Sequence, residues 1–363
     1  MKILVGMPAP DSWGGPAACE PPFARALAEL GHEVATEVYV YGDKERPTPV
    51  LSRVSRVLRT AFKFRGRLRS GRFDLLHLNT AFDTRTILRD SFSLFLIAPG
   101  RTKVFLKLHG SEAERFAAAS GTMRRLIRYI AERADGFGYF TTDELEAFVS
   151  LGFDRSKFFR VHNALSVADQ PARTHKKPGE IFELLFVSRF VPTKGLLNTI
   201  EACERLRRRG FRFRLTCVGD GPSRRDAEDA VGRLALGRVV TFTGYIPEEE
   251  VEEHLRRADI FVFPTTHPEG FPMVMFKAAA MGLPIVTTRI RAAKDHFTEP
   301  DNCLFTAADP ESIADRIEAL ANDRGMRIRM SDSNRAFRSM LAPENVAREY
   351  ERIYREIISR SGP

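Results

Sequence analysis

Apolar residues in the first half of the chain form short runs separated by longer stretches with helical spacing. The runs lie at residues 3–7, 33–40, 73–79, 103–109, 134–140 and 157–163. Runs of this length predict strands, and apolar residues three or four positions apart in the intervening stretches predict helices. Gly31 follows one of these stretches and is typical of the residue just after a helix. The first half is therefore predicted to repeat a strand and helix unit.

The second half repeats the same pattern. Its apolar runs lie at residues 182–188, 213–219, 239–245, 259–265 and 283–288, and its helical patterns at 199–209, 224–236 and 249–257. Alternation of this kind predicts an α/β protein in which each half forms a parallel sheet with helices on both faces. Ligands of such sheets bind beyond the carboxyl ends of the strands, so the strand-to-helix loops are the places to search for chemistry.

Length and composition favour two domains over one. A chain of 363 residues is about twice the usual domain size. We predict an N-terminal domain at 1–167, a linker rich in proline and charge at 168–180, and a C-terminal domain at 181–341. A last helical segment at 342–363 could pack on either domain.

Composition and cysteine spacing exclude several classes of protein. Hydrophobic residues make up 43% and charged residues 28% of the chain, which is ordinary globular usage. No apolar run is long enough to span a membrane, and the N-terminus lacks the pattern of a secretory signal. We therefore expect a cytoplasmic protein. The four cysteines are widely scattered, which favours buried small side chains over a zinc site or a disulfide framework.

The positive charge is concentrated in one segment. The net charge is +9, and residues 51–72 alone carry eight basic side chains and no acid. Charges nearly cancel elsewhere, which argues against a nucleic-acid partner. Apolar residues recur at helical spacing within the segment, namely Val54, Val57, Leu58, Ala61 and Phe62. Such a helix could contact an anionic membrane surface; alternatively, its apolar side packs on the sheet and its arginines are solvated.

Glycines follow the first predicted strand. Gly14 and Gly15 precede Pro16 and a helical pattern. Adjacent glycines allow the backbone to approach a ligand, and a helix N-terminus offers unpaired N–H groups to an anion or a hydroxyl. A simple glycine turn explains the pair equally well. The pattern is not the GxGxxG fingerprint of dinucleotide-binding enzymes.

Two later strand-to-helix loops carry charged candidates. Arg189 and Lys194 precede Gly195 and a helix, and two cations near a helix N-terminus suit a diphosphate. A solvated surface pair is the alternative. Glu269 precedes the Gly270–Pro272 turn and a helix that begins near Met273. Its carboxylate could accept hydrogen bonds from sugar hydroxyls or could simply cap that helix.

The order of these motifs resembles one enzyme family. The segments SRFVPTKG, CVGDGP, VTFTGYIPEEEVEEHLRRADIFVFPT, EGFP and AAAMGLPIVTT are similar to the donor-binding domain of glycosyltransferase family 4, the retaining glycosyltransferases with the GT-B fold. The likeness is strong over residues 184–305. It is looser over residues 1–165, where GGP, HLN, KLHGSE and VHNAL occupy the expected places.

The resemblance implies a fold, a reaction and a set of site residues. The fold would be two Rossmann-like domains facing each other across a cleft. A nucleotide-diphosphate sugar would be the donor, no metal would be required, and transfer would proceed with retention at the anomeric carbon. The functional hypothesis adds a glycan or a lipid-linked glycan as the acceptor, and membrane contact of the segment 51–72 would suit the latter. Arg189 and Lys194 would bind the diphosphate, Glu269 the sugar hydroxyls, and His109 the sugar from the N-terminal domain. Other donor-binding positions would be Gly14, Gly15, Gly219, Tyr245, Ile246, Gly270, Phe271, Pro272, Met273 and Lys277.

Three motifs depart from the family pattern. Lys277 replaces a second glutamate, Arg291, Ala292 and Asp295 stand where a glycine pair and an acid are usual, and Asn163-Ala164 replaces an Asn-Gly pair. A donor-only cation at Lys277 cannot accept ribose hydrogen bonds as a glutamate does. These changes fit a donor held differently, a donor with more negative charge, or a site that binds without catalysis.

Alternatives therefore remain open for His109 and for the function. His109 could be a hydrogen-bonded core histidine, and the residues alone do not favour it over His77 or His162. The main hypothesis is a glycosyltransferase acting in the synthesis of a cell-surface polysaccharide or glycoconjugate. The others are a nucleotide-sugar epimerase of similar architecture and a non-catalytic partner that binds sugar nucleotides or glycans. The chain keeps Arg189, Lys194 and Glu269 at the positions that the family pattern expects, which favours an enzyme.

Overall fold

The computed structural model describes residues 1–10, 12, 14–39, 50–168 and 173–360, with only the backbone described for Val50 and Leu51. The chain divides into two compact units, unit 1 (1–166 and 341–363) and unit 2 (167–340). The last helical segment therefore belongs to unit 1. The predicted linker at 168–180 lies partly outside the described residues.

Strands and helices alternate along the described chain. The strands are β1 (Lys2–Met7), β2 (Glu33–Val38), β3 (Leu75–Phe82), β4 (Lys103–Ser111), β5 (Gly136–Tyr139), β6 (Phe158–Arg160), β7 (Phe182–Val187), β8 (Phe213–Val218), β9 (Val240–Gly244), β10 (Ile260–Phe263), β11 (Ile285–Thr288) and β12 (Leu304–Thr306). The helices are α1 (Gly15–Glu29), α2 (Val50–Gly71), α3 (Thr84–Ile97), α4 (Gly121–Arg133), α5 (Thr142–Ser150), α6 (Leu196–Arg208), α7 (Arg224–Arg233), α8 (Glu248–Arg257), α9 (Met273–Ala280), α10 (Arg291–His296), α11 (Pro310–Asn322), α12 (Arg324–Asn334), α13 (Ala336–Met340) and α14 (Pro343–Ser359).

Each unit contains a six-stranded parallel sheet. The order is β2-β1-β3-β4-β5-β6 in unit 1 and β12-β11-β10-β7-β8-β9 in unit 2. Central strands are largely apolar because helices cover both of their faces; every residue of β10, for example, is apolar and buried. The predicted α/β class with two parallel sheets is confirmed. The prediction missed β12.

The helices of unit 1 lie on two faces of its sheet. Right-handed crossovers place α2, α3 and α4 side by side on one face, because all three connections run in the same direction across the sheet. α1 lies on the opposite face and packs against α14. The C-terminal helix is thus a layer of unit 1, with Tyr350 and Tyr354 fully buried.

The strand order of unit 2 contains one place at which the direction of chain addition across the sheet reverses. From β7 the chain adds β8 and β9 on one side, and it then returns to add β10, β11 and β12 on the other. β7 and β10 are neighbours, and the chain leaves them in opposite directions. This is the topological switch point, where loops diverge and leave room for a ligand.

The basic helix α2 packs on the sheet through part of its predicted apolar side. Ala61 is buried together with Phe64 and Leu68, one and two helical turns apart. Ala61 therefore faces the core of unit 1, and at this position the alternative in which the apolar side of α2 packs on the sheet is supported. Val54 and Phe62 remain exposed.

Two further expectations concern the cysteines and membrane spans. All four cysteines lie among the described residues, and each is a buried free thiol, as predicted. In the part of the chain that the structure describes, no helix combines the length and apolarity needed to cross a bilayer.

Candidate functional site

The loops after β7 and β10 bring the predicted charged residues together at the switch point of unit 2. Arg189 lies in the loop after β7 and is exposed, whereas Lys194 ends that loop in a short 3₁₀ turn and is buried. Gly195 follows with a φ of 79° and begins α6. A Cβ at this position would lie 2.5 Å from the Pro264 carbonyl oxygen, so the β7 loop can approach β10 only with a glycine there.

Lys194 and Glu269 form an ion pair. The Lys194 ammonium contacts the Glu269 carboxylate directly, and only 10% and 15% of the two side chains are exposed. The loops are also joined through the Thr193 carbonyl, which accepts hydrogen bonds from the Thr266 amide at 2.8 Å and the Thr265 hydroxyl at 3.1 Å. The two residues are therefore held next to each other by backbone contacts as well as by their charges.

The ammonium of Lys194 is less basic than usual. Burial, together with the nearby positive charge of Arg189, lowers the pKa of Lys194 to about 8. The Glu269 carboxylate opposes this shift by favouring the charged form. Lys194 is thus a cation at neutral pH whose charge depends on nearby negative groups.

Glycines let the loops of neighbouring strands pack closely at this edge. A Cβ on Gly219 would lie 1.9 Å from the Ser188 carbonyl oxygen, and the φ of Gly219 is 127°. The Phe190 amide donates to the Asp220 carbonyl at 2.8 Å, and the Ser223 amide donates to the Phe190 carbonyl at 2.9 Å. The predicted donor-binding residue Gly219 therefore supports the Arg189 loop from the side of β8.

Glu269 does not cap the helix that follows it. α9 begins at Met273 after Pro272, with no side-chain hydrogen bond at its N-terminus. Gly270 and Phe271 are half-buried, and the Phe271 ring stacks on Phe276 with 3.8 Å between centroids. The turn is thus fixed by apolar packing, which leaves the carboxylate for Lys194.

Lys277 lies within α9 and is directed away from solvent. Only 5% of its side chain is exposed, and its ammonium contacts Glu248 and lies 2.6 Å from Glu252, both on α8. Its charge is therefore compensated by two carboxylates. Tyr245 is exposed and Ile246 half-buried, directly after β9. Both follow the carboxyl end of the same sheet.

In unit 1, the predicted residues follow β1 and β4. Gly14 is exposed, has a φ of 95° and precedes α1, which begins at Gly15 without a side-chain cap. His109 lies near the end of β4, and 3% of its side chain is exposed. β1 and β3 form the switch point of this sheet, because the chain adds β2 on one side of β1 and β3 on the other.

A hydrogen-bonded network fixes the His109 ring. Its Nε2 lies 2.7 Å from the Asn79 Oδ1 and 3.3 Å from the Glu20 Oε1. The Asn79 amide nitrogen donates to the Gly6 carbonyl at 2.9 Å, which fixes the amide orientation and leaves Oδ1 for the histidine. Since both oxygens accept hydrogen bonds, Nε2 carries the proton and Nδ1 is the acceptor nitrogen.

A buried ion pair supports this network. The Lys107 ammonium lies 2.7 Å from the Glu20 Oε1, and both side chains are fully buried. Burial alone would raise the pKa of the Glu20 carboxyl, but Lys107 and His109 hold it well below its usual range. Burial lowers the pKa of His109 to about 4, against the opposing hydrogen bond to Glu20. At neutral pH the ring is therefore uncharged.

The other two histidines considered from the sequence contact the C-terminal helix. His77 is fully buried, and its Nδ1 contacts the Tyr354 hydroxyl on α14. The His162 Nδ1 lies 2.9 Å from the Glu349 Oε2, also on α14. Both attach α14 to the sheet of unit 1.

One group of residues near His109 has the composition of a metal site. Among the described residues, Cys19, Glu20 and His109 place ligand atoms within 4.8 Å of one another. The Lys107 ammonium already occupies the cation position beside Glu20. Burial also raises the pKa of the Cys19 thiol well above its usual value, so the thiolate that a metal needs is disfavoured. The chemistry of this group suits an ion pair better than a metal.

Family models match both units of the chain. A model described as glycosyl transferases group 1 matches residues 182–323, and one described as a glycosyl transferase 4-like domain matches residues 14–164. The chain belongs to the family 4-like glycosyltransferases. This confirms the family resemblance found in the motifs of both halves.

Curated relatives are similar over part of this glycosyltransferase. WcaL of Escherichia coli strain K12, whose name associates it with colanic acid biosynthesis, is 29% identical over 183 residues, 47% of this chain and 44% of WcaL. The amylovoran biosynthesis glycosyltransferase AmsK of Erwinia amylovora is 34% identical over 110 residues, 29% of this chain and 27% of AmsK. The matched region thus spans less than half the length of these relatives.

Solved structures share the fold over nearly the whole glycosyltransferase. Anabaena Alr3699/HepE, in complex with UDP and glucose, has a TM-score of 0.71 at 17% identity. The match covers 99% of this chain and all of the HepE chain. A glycosyltransferase of Rickettsia africae has a TM-score of 0.74 at 15% identity, with 99% of each chain covered. The fold is therefore GT-B, as the resemblance implied.

The sequence reasoning did not identify Glu20, Lys107 and Asn79. One signal was present, because Lys107 interrupts the apolar strand KVFLKLH. A lysine in a strand that is buried on both faces needs a carboxylate partner. The sequence offers no means of choosing Glu20 as that partner, since it is 87 positions away.

We predict that Glu20→Gln destabilises unit 1 by about 3–5 kcal/mol, because it leaves the buried Lys107 ammonium without a carboxylate. The double variant Glu20→Gln/Lys107→Met should be less destabilised than Glu20→Gln alone. Urea unfolding followed by circular dichroism measures the free energies. Glu146→Gln removes an exposed ion pair with Arg155 and serves as the control, with an expected loss below about 1 kcal/mol. Equal losses for Glu20→Gln and Glu146→Gln would refute the prediction.

Proposed function

We propose that this protein transfers a sugar from a nucleotide-diphosphate donor to a glycan or lipid-linked glycan, with retention at the anomeric carbon. The reaction would serve the synthesis of a cell-surface polysaccharide or glycoconjugate. The observation that carries the proposal is the placement of Arg189, Lys194 and Glu269 at the switch point of unit 2. Two cations and a carboxylate at this point suit a ligand with a diphosphate and sugar hydroxyls.

The cations would act on the leaving group. When the bond between the anomeric carbon and the diphosphate oxygen breaks, its electron pair passes to the diphosphate. Arg189 and Lys194 would stabilise that charge, and preorganised positive charge contributes most where negative charge develops. The acceptor oxygen would form the new bond on the same face of the sugar, and its proton would leave with the diphosphate.

Glu269 would have two roles in succession. In the free protein its carboxylate compensates the buried charge of Lys194. When a diphosphate takes that place beside Lys194, the carboxylate becomes available as an acceptor for hydroxyl groups of the donor sugar. In the free protein, the ion pair would thus hold the Lys194 ammonium and the Glu269 carboxylate in the positions where they bind the nucleotide sugar.

The names and bound ligands of similar proteins support the type of donor and the process, but not the particular sugar. HepE, which shares the fold, was solved with UDP and glucose, and also with UDP-glucose. WcaL and AmsK are named for the biosynthesis of colanic acid and amylovoran. We therefore propose a nucleotide sugar as the donor and polysaccharide synthesis as the process.

We also propose that the reaction requires no metal ion. Arg189 and Lys194 would supply the positive charge that a divalent cation supplies in other nucleotide-sugar enzymes. His109 would contact the transferred sugar from unit 1, and the contacts of its Nε2 with Asn79 and Glu20 hold the ring in place. Lys277 stays a proposed donor-binding position, but Glu248 and Glu252 compensate its charge.

A lipid-linked acceptor would place the protein at the cytoplasmic face of a membrane. We propose peripheral contact of the basic segment 51–72 with anionic lipids. Eight basic side chains without an acid support such contact through their attraction to the leaflet.

The proposed reaction is tested by incubating the protein with UDP-, GDP- and ADP-sugars and identifying the released sugar by ¹H NMR in the presence of a chelator. We expect one donor to be cleaved, with the first product in the anomeric configuration of that donor. Arg189→Ala and Lys194→Ala should each lower the rate by roughly a hundredfold or more, as loss of a charge-stabilising group does. Arg225→Ala, which removes an exposed arginine of unit 2, should leave the rate unchanged.

Other products would identify the competing functions. Release of an epimer would favour the epimerase. Binding of a sugar nucleotide with no cleavage, with or without candidate glycans, would favour the non-catalytic partner. Inversion at the anomeric carbon would refute retention.

Binding of UDP should weaken as the pH rises from 7.5 to 9.5. The pKa of Lys194 is lowered to about 8, so the cation is present below that pH and is lost above it. The affinity should fall by up to about tenfold per pH unit above 8, while the diphosphate keeps its charge because its last pKa lies near 6. Calorimetric titration measures the effect. Lys194→Arg should remove most of the pH dependence, since a guanidinium stays charged; an unchanged slope in that variant would exclude Lys194 as its source.

A further inference from the structure

The outer face of α3 carries a row of exposed apolar side chains. Leu88, Phe92 and Phe95 are 51%, 44% and 67% exposed. They are spaced by four and three positions and therefore lie on one side of the helix. The opposite side of α3 packs on the sheet through buried residues. Large apolar residues that form a contiguous exposed patch indicate an interaction surface.

The neighbouring helix α2 extends this row. Phe62 is 57% and Val54 48% exposed. The Arg65 guanidinium donates to the Leu96 carbonyl at 3.0 Å, which fixes the level of α2 beside α3. Phe62 lies one turn before Arg65, so it lies near the level of Phe92. The helix beside α3 thus also carries exposed apolar side chains.

Basic residues surround this patch. The helices α2, α3 and α4 together contain thirteen basic and two acidic side chains. One of these acids, Asp90, is buried and accepts a hydrogen bond from the Tyr39 hydroxyl at 2.7 Å. Arg124, Arg125 and Arg128 on α4 are exposed. Glu37 on β2 partly compensates α2 through Lys63 at 2.5 Å and Arg67 at 3.4 Å.

We propose that this face of unit 1, the α2–α4 surface, docks on an anionic lipid leaflet, with the side chains of Leu88, Phe92 and Phe95 inserted between the lipid headgroups. The basic residues of α2 and α4 then contact the headgroups on both sides of the inserted row. The apolar contact is thereby assigned to α3, outside the segment 51–72 that the sequence indicated. Apolar insertion combined with cationic flanks is the arrangement that binds membrane interfaces.

Charge favours a lipid leaflet over a second copy of the chain. Two copies joined through this face would bring thirteen basic side chains against thirteen others, with few carboxylates to compensate them. An anionic leaflet supplies the opposite charge over the whole surface. This inference refines the membrane contact in the proposed function, but it does not depend on glycosyl transfer.

The test measures cosedimentation of the full chain with vesicles of phosphatidylcholine alone and of phosphatidylcholine mixed with phosphatidylglycerol. The wild-type protein should bind the mixed vesicles only. Phe92→Ser/Phe95→Ser should weaken binding by at least about tenfold. Arg124→Gln/Arg125→Gln/Arg128→Gln should weaken it by about a hundredfold, at roughly fivefold per basic side chain. Arg225→Gln/Arg233→Gln/Arg238→Gln removes three exposed arginines of unit 2 as the matched control and should bind as wild type does.

A fluorescence measurement reports insertion directly. The chain has one tryptophan, Trp13, and Phe95→Trp adds a second one on α3. Brominated phosphatidylglycerol vesicles should quench the Phe95→Trp variant more strongly than the wild type. Equal quenching, or equal vesicle binding by Phe92→Ser/Phe95→Ser and wild type, would overturn the insertion. If the protein does not bind anionic vesicles, the proposal that the α2–α4 surface docks on a leaflet is wrong. It is also wrong if the wild-type protein is a dimer and the Phe92→Ser/Phe95→Ser variant is a monomer. Because no donor sugar is used, these results are independent of the proposed reaction.

Discussion

The central physical constraint in this protein is the burial of an ammonium group at the carboxyl edge of a parallel sheet. Lys194 is 90% shielded from water and retains its charge because the Glu269 carboxylate contacts it. A buried charge without a partner would cost several kcal/mol, so the loops that carry these residues must be held together. The Thr193 carbonyl and the absence of a side chain at Gly195 hold them. The resulting arrangement suits an anionic ligand, which can take over the compensation of Lys194. Unit 1 uses the same principle below His109, where Lys107 and Glu20 fix the position of an imidazole.

Much of this arrangement could be predicted from local sequence. Apolar runs of four to eight residues marked eleven of the strands, and central strands such as β10 were the clearest because both of their faces are buried. Arg189, Lys194 and Glu269 could be assigned to strand-to-helix loops, and parallel strands bring such loops to one edge of a sheet. The contact between Lys194 and Glu269 follows from the adjacency of β7 and β10, which are more than seventy residues apart in the sequence.

Contacts that depend on packing could not be predicted in this way. Lys277 on α9 contacts Glu248 and Glu252 on α8, and the sequence does not show which residues of different helices come together. For the same reason Glu20 could not be paired with Lys107. The sequence also left open whether the apolar side of α2 packs on the sheet or faces outward, because helical spacing does not show what covers that side. Ala61 is buried, whereas Val54 and Phe62 are exposed. The exposed row on α3 was missed because its residues are apolar like those of the core.

A crystal structure of the protein with bound UDP tests the central claim most directly. We expect the Lys194 ammonium and the Arg189 guanidinium each to lie within about 3 Å of diphosphate oxygens, with the diphosphate at the switch point between β7 and β10. A structure in which UDP binds elsewhere, with Lys194 paired only with Glu269 and Arg189 directed into solvent, would contradict it.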